Sequence, residues 1–347
     1  MKLIVNKKNI IELVRDMTWS GDTKEVSRKL NFTVYQNLAD KNMPKIAITI
    51  DSSVTLKDDD GKVLFVGVIK KIDKKSNDKT LTYLAYDLLF YINKSKISKV
   101  FKNTPEAITK SVCKELGVSV GTLAKAGKKI YYPCLDKTGY EAIMIAYSQA
   151  SNITGKKYIP LMEKNKLTVI EKGKYCGVII KGTFNLTDAT YTVSSENVVN
   201  KVKITDKNGK VIKTVKNVTS IKKRGTMQAI YKKEDGKNAT KNAKKLFHEL
   251  DRSASVNALG DVRAISGYAV TIQDKRTGLY GLFYIESDSH QFSQGKHDMS
   301  LTLSFVKTMD YKELPADTSK KKTTKKKKKT SKKTSSKSSS VKATVTK

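Results

Sequence analysis

Arginine is scarce in this chain. Of 68 basic residues only Arg15, Arg28, Arg224, Arg252, Arg263 and Arg276 are arginine, although the guanidinium fork is what base and phosphate readers rely on. Sequence-specific nucleic-acid recognition is therefore disfavoured, and the formal charge of +35 implies nonspecific attraction to anions at most. Cysteine is limited to Cys113, Cys134 and Cys176, an odd and widely spaced set that excludes a disulfide framework and a CxxC metal knuckle. Cys113 falls among apolar helical positions, as a buried thiol would. No run approaches about 18 consecutive apolar residues, and MKLIVNKKNIIELV is charged too early for a secretory leader. A protein made and kept in the cytoplasm until assembly or lysis is expected.

Recognisable chemistry is also missing. Neither GxxxxGK[ST] nor GxGxxG occurs, so no nucleotide cofactor is expected. The histidines are His248, His290 and His297, with no HExxH motif. His290 and His297 flank the turn QFSQGK and face each other in such a hairpin, but two ligands are too few for a metal, and structural hydrogen bonding is the better reading. Cys176 with His248 is the formal remnant of a cysteine hydrolase, without a nucleophile motif around it. The run DDDG at 58–61 lacks the spaced ligands and closing glutamate of a calcium loop and is read as a hairpin turn. No catalytic, metal or cofactor residue, and no small-molecule substrate, is predicted.

What the chain does contain is alternation. Residues 1–95 read as a β-rich domain: KIAITI alternates, GKVLFVGVIKKID is β-branched, and TLTYLAYDLLFYI runs from a strand into a short helix. From 96 to 185 the period changes to a small α/β domain. Thr104-Pro105-Glu106 opens a helix with Ala107, Ile108, Val112 and Leu116 on one face, stopped by Gly117; a second helix covers Gly139 to Asn152; KKYIPLMEKNKLTVIEK folds back at Lys164-Asn165-Lys166. Residues 186–315 return to β, with a hairpin at Asn208-Gly209 and strands in GYAVTIQD, YGLFYIE and around Met299, Leu301, Leu303 and Phe305. One helix over 238–251 interrupts them, with Ala239, Ala243, Leu246 and Leu250 inward and Lys241, Lys244 and Lys245 on an outward face. After Pro315 the chain has thirteen lysines, no acid beyond Asp317 and almost nothing apolar, which predicts a disordered tail over 316–347 and leaves +22 on the first 317 residues. The tail is a solvated linker or an adhesion segment for anionic cell-wall polymer, lipid or nucleic acid.

The sharpest punctuation lies in MTWSGDTKEVSRKLNFTV, residues 17–34, which holds the only tryptophan. Ser20, Gly21 and Asp22 read as a turn, so that Trp19 ends one strand and Asp22 opens the next segment, while Leu30, Phe32 and Val34 alternate as a buried strand face. The run TWSGD, followed by an arginine and RKLNFTV, resembles the baseplate hub proteins of contractile phage tails and phage-tail-like bacteriocins, the group typified by the hub of the defective phage PBSX. YDLLFYINKS, TGYEAIMIAYSQASNITGKKYI, SENVVNKV and TGLYGLFYIESDSHQFSQGKHDMSLTL continue that likeness in order over roughly residues 5–310. Ser266-Gly267-Tyr268 departs from it, where a Gly-Asp is expected before the strand.

The resemblance implies an α+β, β-rich fold with two tube-like β-barrel domains around the small α/β domain. It implies a homotrimer whose six barrels form a pseudo-sixfold ring between a hexameric tail tube and a trimeric central spike, in contact with other baseplate proteins. Trp19, Gly21 and Asp22 would then shape the first barrel. The alternatives from other classes are a basic adhesion or nucleic-acid-binding module and a tail-associated cell-wall hydrolase.

Overall fold

The computed structural model describes residues 1–35, 46–75 and 79–315. Period-two alternation in the first stretch forms β1 (Lys2–Val5), β2 (Lys8–Asn9), β3 (Val14–Asp22), β4 (Lys29–Tyr35), β5 (Ser53–Lys57), β6 (Val63–Lys74) and β7 (Thr80–Asp87), followed by the short helix α1 (Leu89–Lys94). Inward positions such as Leu3, Val5, Trp19, Leu30, Phe32, Leu56 and Ile69 close a core, and Asp58 accepts backbone N–H bonds across the 58–61 turn between β5 and β6.

The middle stretch contains β8 (Lys96–Asn103), α2 (Pro105–Glu115), β9 (Ser119–Leu123), β10 (Ile130–Thr138), α3 (Gly139–Thr154), β11 (Tyr158–Glu163) and β12 (Lys166–Glu171). Its helix ends follow from local chemistry. Thr104 caps α2 with Pro105 in its first turn, while Thr138 and Glu141 make a reciprocal capping box on α3, which Gly155 ends at φ 71°. Ile108, Val112, Ile143 and Tyr147 are buried in a second core with Cys113 and Cys134, whose thiols burial pushes up to about 11.

The third stretch supplies β13 (Lys174–Lys181) and β14 (Leu186–Ser194). Next come β15 (Lys201–Thr205), β16 (Val211–Lys216), α4 (Val218–Arg224), β17 (Gln228–Lys232) and α5 (Ala239–Lys244), and then β18 (Asp251–Leu259), β19 (Tyr268–Asp274), β20 (Leu279–Ser293) and β21 (Lys296–Ser304). The fold is α+β and β-rich, and its large sheet curls as a half-barrel. The sheet has 13 strands in the order β14-β18-β21-β20-β3-β4-β7-β6-β5-β1-β2, with β19 also on β20 and β13 on β19.

The fifteen-residue strand β20 is the seam of the molecule. Along one edge its first half pairs with β19 and its second half with β3, while β21 runs along the other edge. The first and third stretches of the chain are thereby joined in one sheet. A buried Lys172, its Nζ 3.0 Å from both carboxylate oxygens of Glu286, ties the end of β12 to the same strand, and Thr23 donates to Glu286 from the first stretch.

Three expectations are corrected. Residues 46–49 are not a strand: Ile46 and Ile48 rest partly buried on the first core, but no described strand ladders with the segment, which turns at Ile50–Asp51. The Asn208-Gly209 hairpin is present, but β15 to β17 form a separate three-stranded sheet with its own small core of Val202, Ile204, Val215 and Ala243. The helix expected over 238–251 is only Ala239–Lys244, and α4 was not foreseen. Ala243 is the one fully buried residue of the helix, with Ala239 packed beside it against that core; Leu246 is exposed, and His248 is drawn into a bridge with Val199. The tail over 316–347 lies outside the described residues.

Candidate functional site

The β3–β20 register sets Trp19 directly opposite His290 and Gly21 directly opposite Asp288. Into this pair of rungs reaches Arg28, the residue before β4. Its Nη1 and Nη2 donate to the two oxygens of Asp288 at 2.8 and 2.5 Å, a bidentate fork, and Nη1 also reaches Ser266 Oγ at 3.3 Å. Ser266 returns its backbone N–H to Asp288 at 2.6 Å. The guanidinium lies 4.2 Å from the Trp19 ring centroid, and the Trp19 and His290 rings are 5.2 Å apart.

These groups are buried together: Arg28 is 6% exposed, Trp19 and Asp288 3%, and His290 0%. A second carboxylate, Asp87, accepts the backbone N–H of Arg28 at 3.1 Å and of Leu89 at 3.0 Å. Burial drives its pKa up to about 7, against the pull of those N–H bonds and of the Arg28 charge. One buried cation thus faces two acids. Asp288 takes the fork and Asp87 the backbone.

His290 Nε2 lies 3.2 Å from the Ala264 carbonyl, which can only accept, so that nitrogen carries the proton. Nδ1 is then the acceptor for His297 Nε2 at 3.1 Å. Burial lowers the His290 pKa to about 4; Asp288 opposes that shift, and Arg28 and His297 add to it. A neutral, buried histidine stabilises the fold above its unfolded pKa of about 6.5 and loses that contribution as pH falls toward 4, by up to about 3 kcal/mol. The stability advantage of the parent over His290→Gln should therefore be constant above pH 6.5 and shrink below it. Urea unfolding of both proteins across pH 4–8 checks this, and a pH-independent difference would contradict it.

Gly21 and Asp22 need correction. They do not form a turn: β3 continues to Asp22, and the turn follows, with Asp22 accepting the Lys24 N–H at 2.8 Å. Gly21 is required for closeness rather than for a left-handed backbone. A Cβ there would stand 2.2 Å from Arg28 Nη1 and 2.8 Å from Ser266 Oγ. The unusual Ser266-Gly267 pair belongs to the same junction, with Gly267 at φ 94°.

The sequence singles out Trp19 and pairs His290 with His297 as hydrogen-bonded structural histidines, which the 3.1 Å contact between them bears out; Arg28 stands out in it only as one of six arginines, and Asp288 only inside a motif. Arg28 and Asp288 meet across 260 residues, and the one sequence signal for that pair is the rarity of arginine. Lys241, Lys244 and Lys245 are exposed on or just after α5, far in the sequence from this junction. His248 bonds Asp251 at 2.7 Å, whereas Cys176 packs against the third core, so the structure assigns the two to different surroundings. The junction offers a buried, forked ion pair; its chemistry is that of a brace between strands.

A family model described as YQBQ-like matches residues 17–304. The chain is 23% identical over 320 residues to the phage-like element PBSX protein XkdQ of Bacillus subtilis (strain 168), covering 88% of this chain and 97% of that protein. It is 25% identical over 255 residues to the protein YqbQ of the same organism, covering 70% and 77%. Among solved structures, the 43 kDa tail protein of prophage MuSo2 from Shewanella oneidensis superposes with a TM-score of 0.65 at 15% identity, over 87% of this chain and 97% of that one. The E. coli c3393 protein, a type VI secretion component described as structurally similar to the T4 bacteriophage tail proteins gp27 and gp5, gives 0.52 at 9% identity, over 91% and 80%. The fold is that of phage tail proteins.

Proposed function

Since the chain belongs to the YQBQ-like family, we propose that it is a structural baseplate hub of a contractile phage tail or phage-tail-like bacteriocin. In this reading three copies form a ring that joins the hexameric tail tube to the trimeric central spike. The observation that carries it is the β20 seam, which fuses two β-rich halves of one chain into a single curled sheet. A trimer of such chains presents six β-rich units, the number a hexameric tube requires on one face, while keeping threefold symmetry for a spike on the other. The tube-like units fall at about residues 1–95 and 186–315, with the α/β part of 96–185 between them.

The role is structural and not catalytic. The partners are a second and third copy, the tube protein, the spike protein and other baseplate proteins, with Lys241, Lys244 and Lys245 facing outward toward the last group. The protein is made in the bacterial cytoplasm and leaves with the particle on lysis. Residues 316–347 are left to linker duty or to contact with anionic cell-surface polymer, and removing them while scoring particle attachment separates the two.

Light scattering of the purified protein tests the assembly. Three 38.7 kDa subunits are expected at both moderate and high salt, because contacts between barrels outlast screening whereas charge-driven association does not. A monomer that persists when tube and spike proteins are added would sink the reading. Activity on purified peptidoglycan would move it to a hydrolase.

A further inference from the structure

Beside the junction lies an open groove of about 470 Å³, within the size range of ligand clefts. Its walls come from four places that are remote in sequence: the β5–β6 turn with Lys62, the β11–β12 turn with Lys164, the start of β13 at Lys174, and the 261–268 segment with Arg263. Trp19 and Arg28 form part of its lining, together with Leu161 and Tyr268.

Two features of the lining point to an occupant. The first is charge. Lys62, Lys164 and Lys174 are exposed on the rim and make no ion pair with a described residue; Arg263 is held by Asp261 at 2.6 Å, and Glu163 is the one acid among the lining residues. The second is hydrogen bonding. Trp19 Nε1 and Arg28 Nε are buried donors without an acceptor, the only such side-chain atoms among the described residues, and both belong to residues that line this groove. Buried donors left unpaired are costly, so native structures keep few of them.

We propose that the groove receives an acidic, extended segment of a partner protein, whose carboxylates sit among Lys62, Lys164 and Lys174, above a floor that includes Trp19 and the buried Arg28 cation. Charge selects this occupant over a second copy of the chain. With a net charge of +35, the chain would bring mostly cations to a cationic rim. The interleaved apolar side chains, Leu161 and Tyr268 among them, suit a peptide better than a bare polyanion.

The test exploits the single tryptophan, which lies at this groove and nowhere else. A capped hexaglutamate peptide is titrated into the full-length protein while Trp19 emission and calorimetric heat are both followed. Binding at the rim changes Trp19 emission saturably, and the triple variant Lys62→Glu, Lys164→Glu, Lys174→Glu raises the Kd at least tenfold. These lysines are exposed and make no ion pair among the described residues, so the variant keeps the fold, which unchanged circular dichroism verifies. Heat without a change in Trp19 emission places the peptide elsewhere on the basic chain and overturns the proposal, as does an unchanged Kd in the triple variant or no binding at all. Emission that varies with protein concentration alone assigns the groove to a second copy and equally overturns it. The hub reading stands or falls on the particle mass and is untouched by any of these outcomes.

Discussion

Replacing Asp288 by alanine should destabilise the protein by about 3–5 kcal/mol, because it leaves the Arg28 guanidinium buried without its counter-charge. The loss is larger than that of an ordinary hydrogen bond. Asp288 accepts both arms of the fork and the Ser266 N–H, so one truncation strands three donors. Arg28→Ala should cost a similar amount by stranding the carboxylate. The double variant should cost clearly less than the sum of the two, since the second truncation removes a charge that is already unpaired. Urea unfolding of the two single variants and the double variant gives the coupling directly. Hydrogen exchange at the β3 and β20 amides should rise first, because the pair sits on the rungs that join the two halves of the sheet. A loss below about 1 kcal/mol for Asp288→Ala would show that the seam is held by its backbone ladder alone.

Trp19→Ala is expected to cost about 3–5 kcal/mol, as for other large buried aromatics truncated in a core. Three partners are lost at once: the apolar first core, the Arg28 cation over the ring, and the His290 ring across the strand. Trp19→Phe should recover much of this, since a phenyl ring still fills part of the space and offers a π face to the guanidinium. Thermal unfolding of the two variants separates packing from the cation contact. Equal losses for Phe and Ala would mean that the indole itself is needed at this position. A stable, normally assembling Trp19→Ala protein would remove Trp19 from any structural role.

Asp87 and His290 act on the same pH range with opposite sign. Asp87, held up to about 7, favours the folded state when protonated and withdraws that contribution as pH rises from about 4 toward 7; His290 does the reverse on the same interval. The parent protein therefore shows a flatter pH profile than either group alone would impose. That is why the His290 prediction is framed as a difference between two proteins.

Much of the local structure was legible because its causes are adjacent residues. Thr104 followed by Pro105, and Asn208-Gly209, each act within one turn of chain, so their outcome survives whatever packs around them. The β-branched run of β6 and the alternation of β21 likewise announced their strands. Alternation failed at Ile46 and Ile48, where the side chains do find a core but the backbone pairs with no strand among the described residues. The α5 helix shows the same limit from the other side: Leu246 and Leu250 hold helical spacing, yet the small core takes Ala239, Ala243 and Phe247, and the bridge from His248 to Val199 claims the backbone beyond.

Gly21 marks the boundary between the two kinds of information. Beside Ser20 and Asp22 it reads as a turn, since glycine in such company usually supplies a positive φ. Its actual task is to leave room for a guanidinium seven residues later in the chain, aimed at a carboxylate on a strand that forms near the other end of the sequence. By itself the sequence determined the α+β class, the caps and hairpins, the inward faces of the strands and the likeness to tail hubs, because each of these is encoded by spacing and residue type within a short window. Only the tertiary structure decided that β20 joins the two β-rich halves and that Arg28 finds Asp288 rather than Asp87. Pairings across some 260 residues are selected by burial and charge compensation in the folded state, and no local pattern carries that choice.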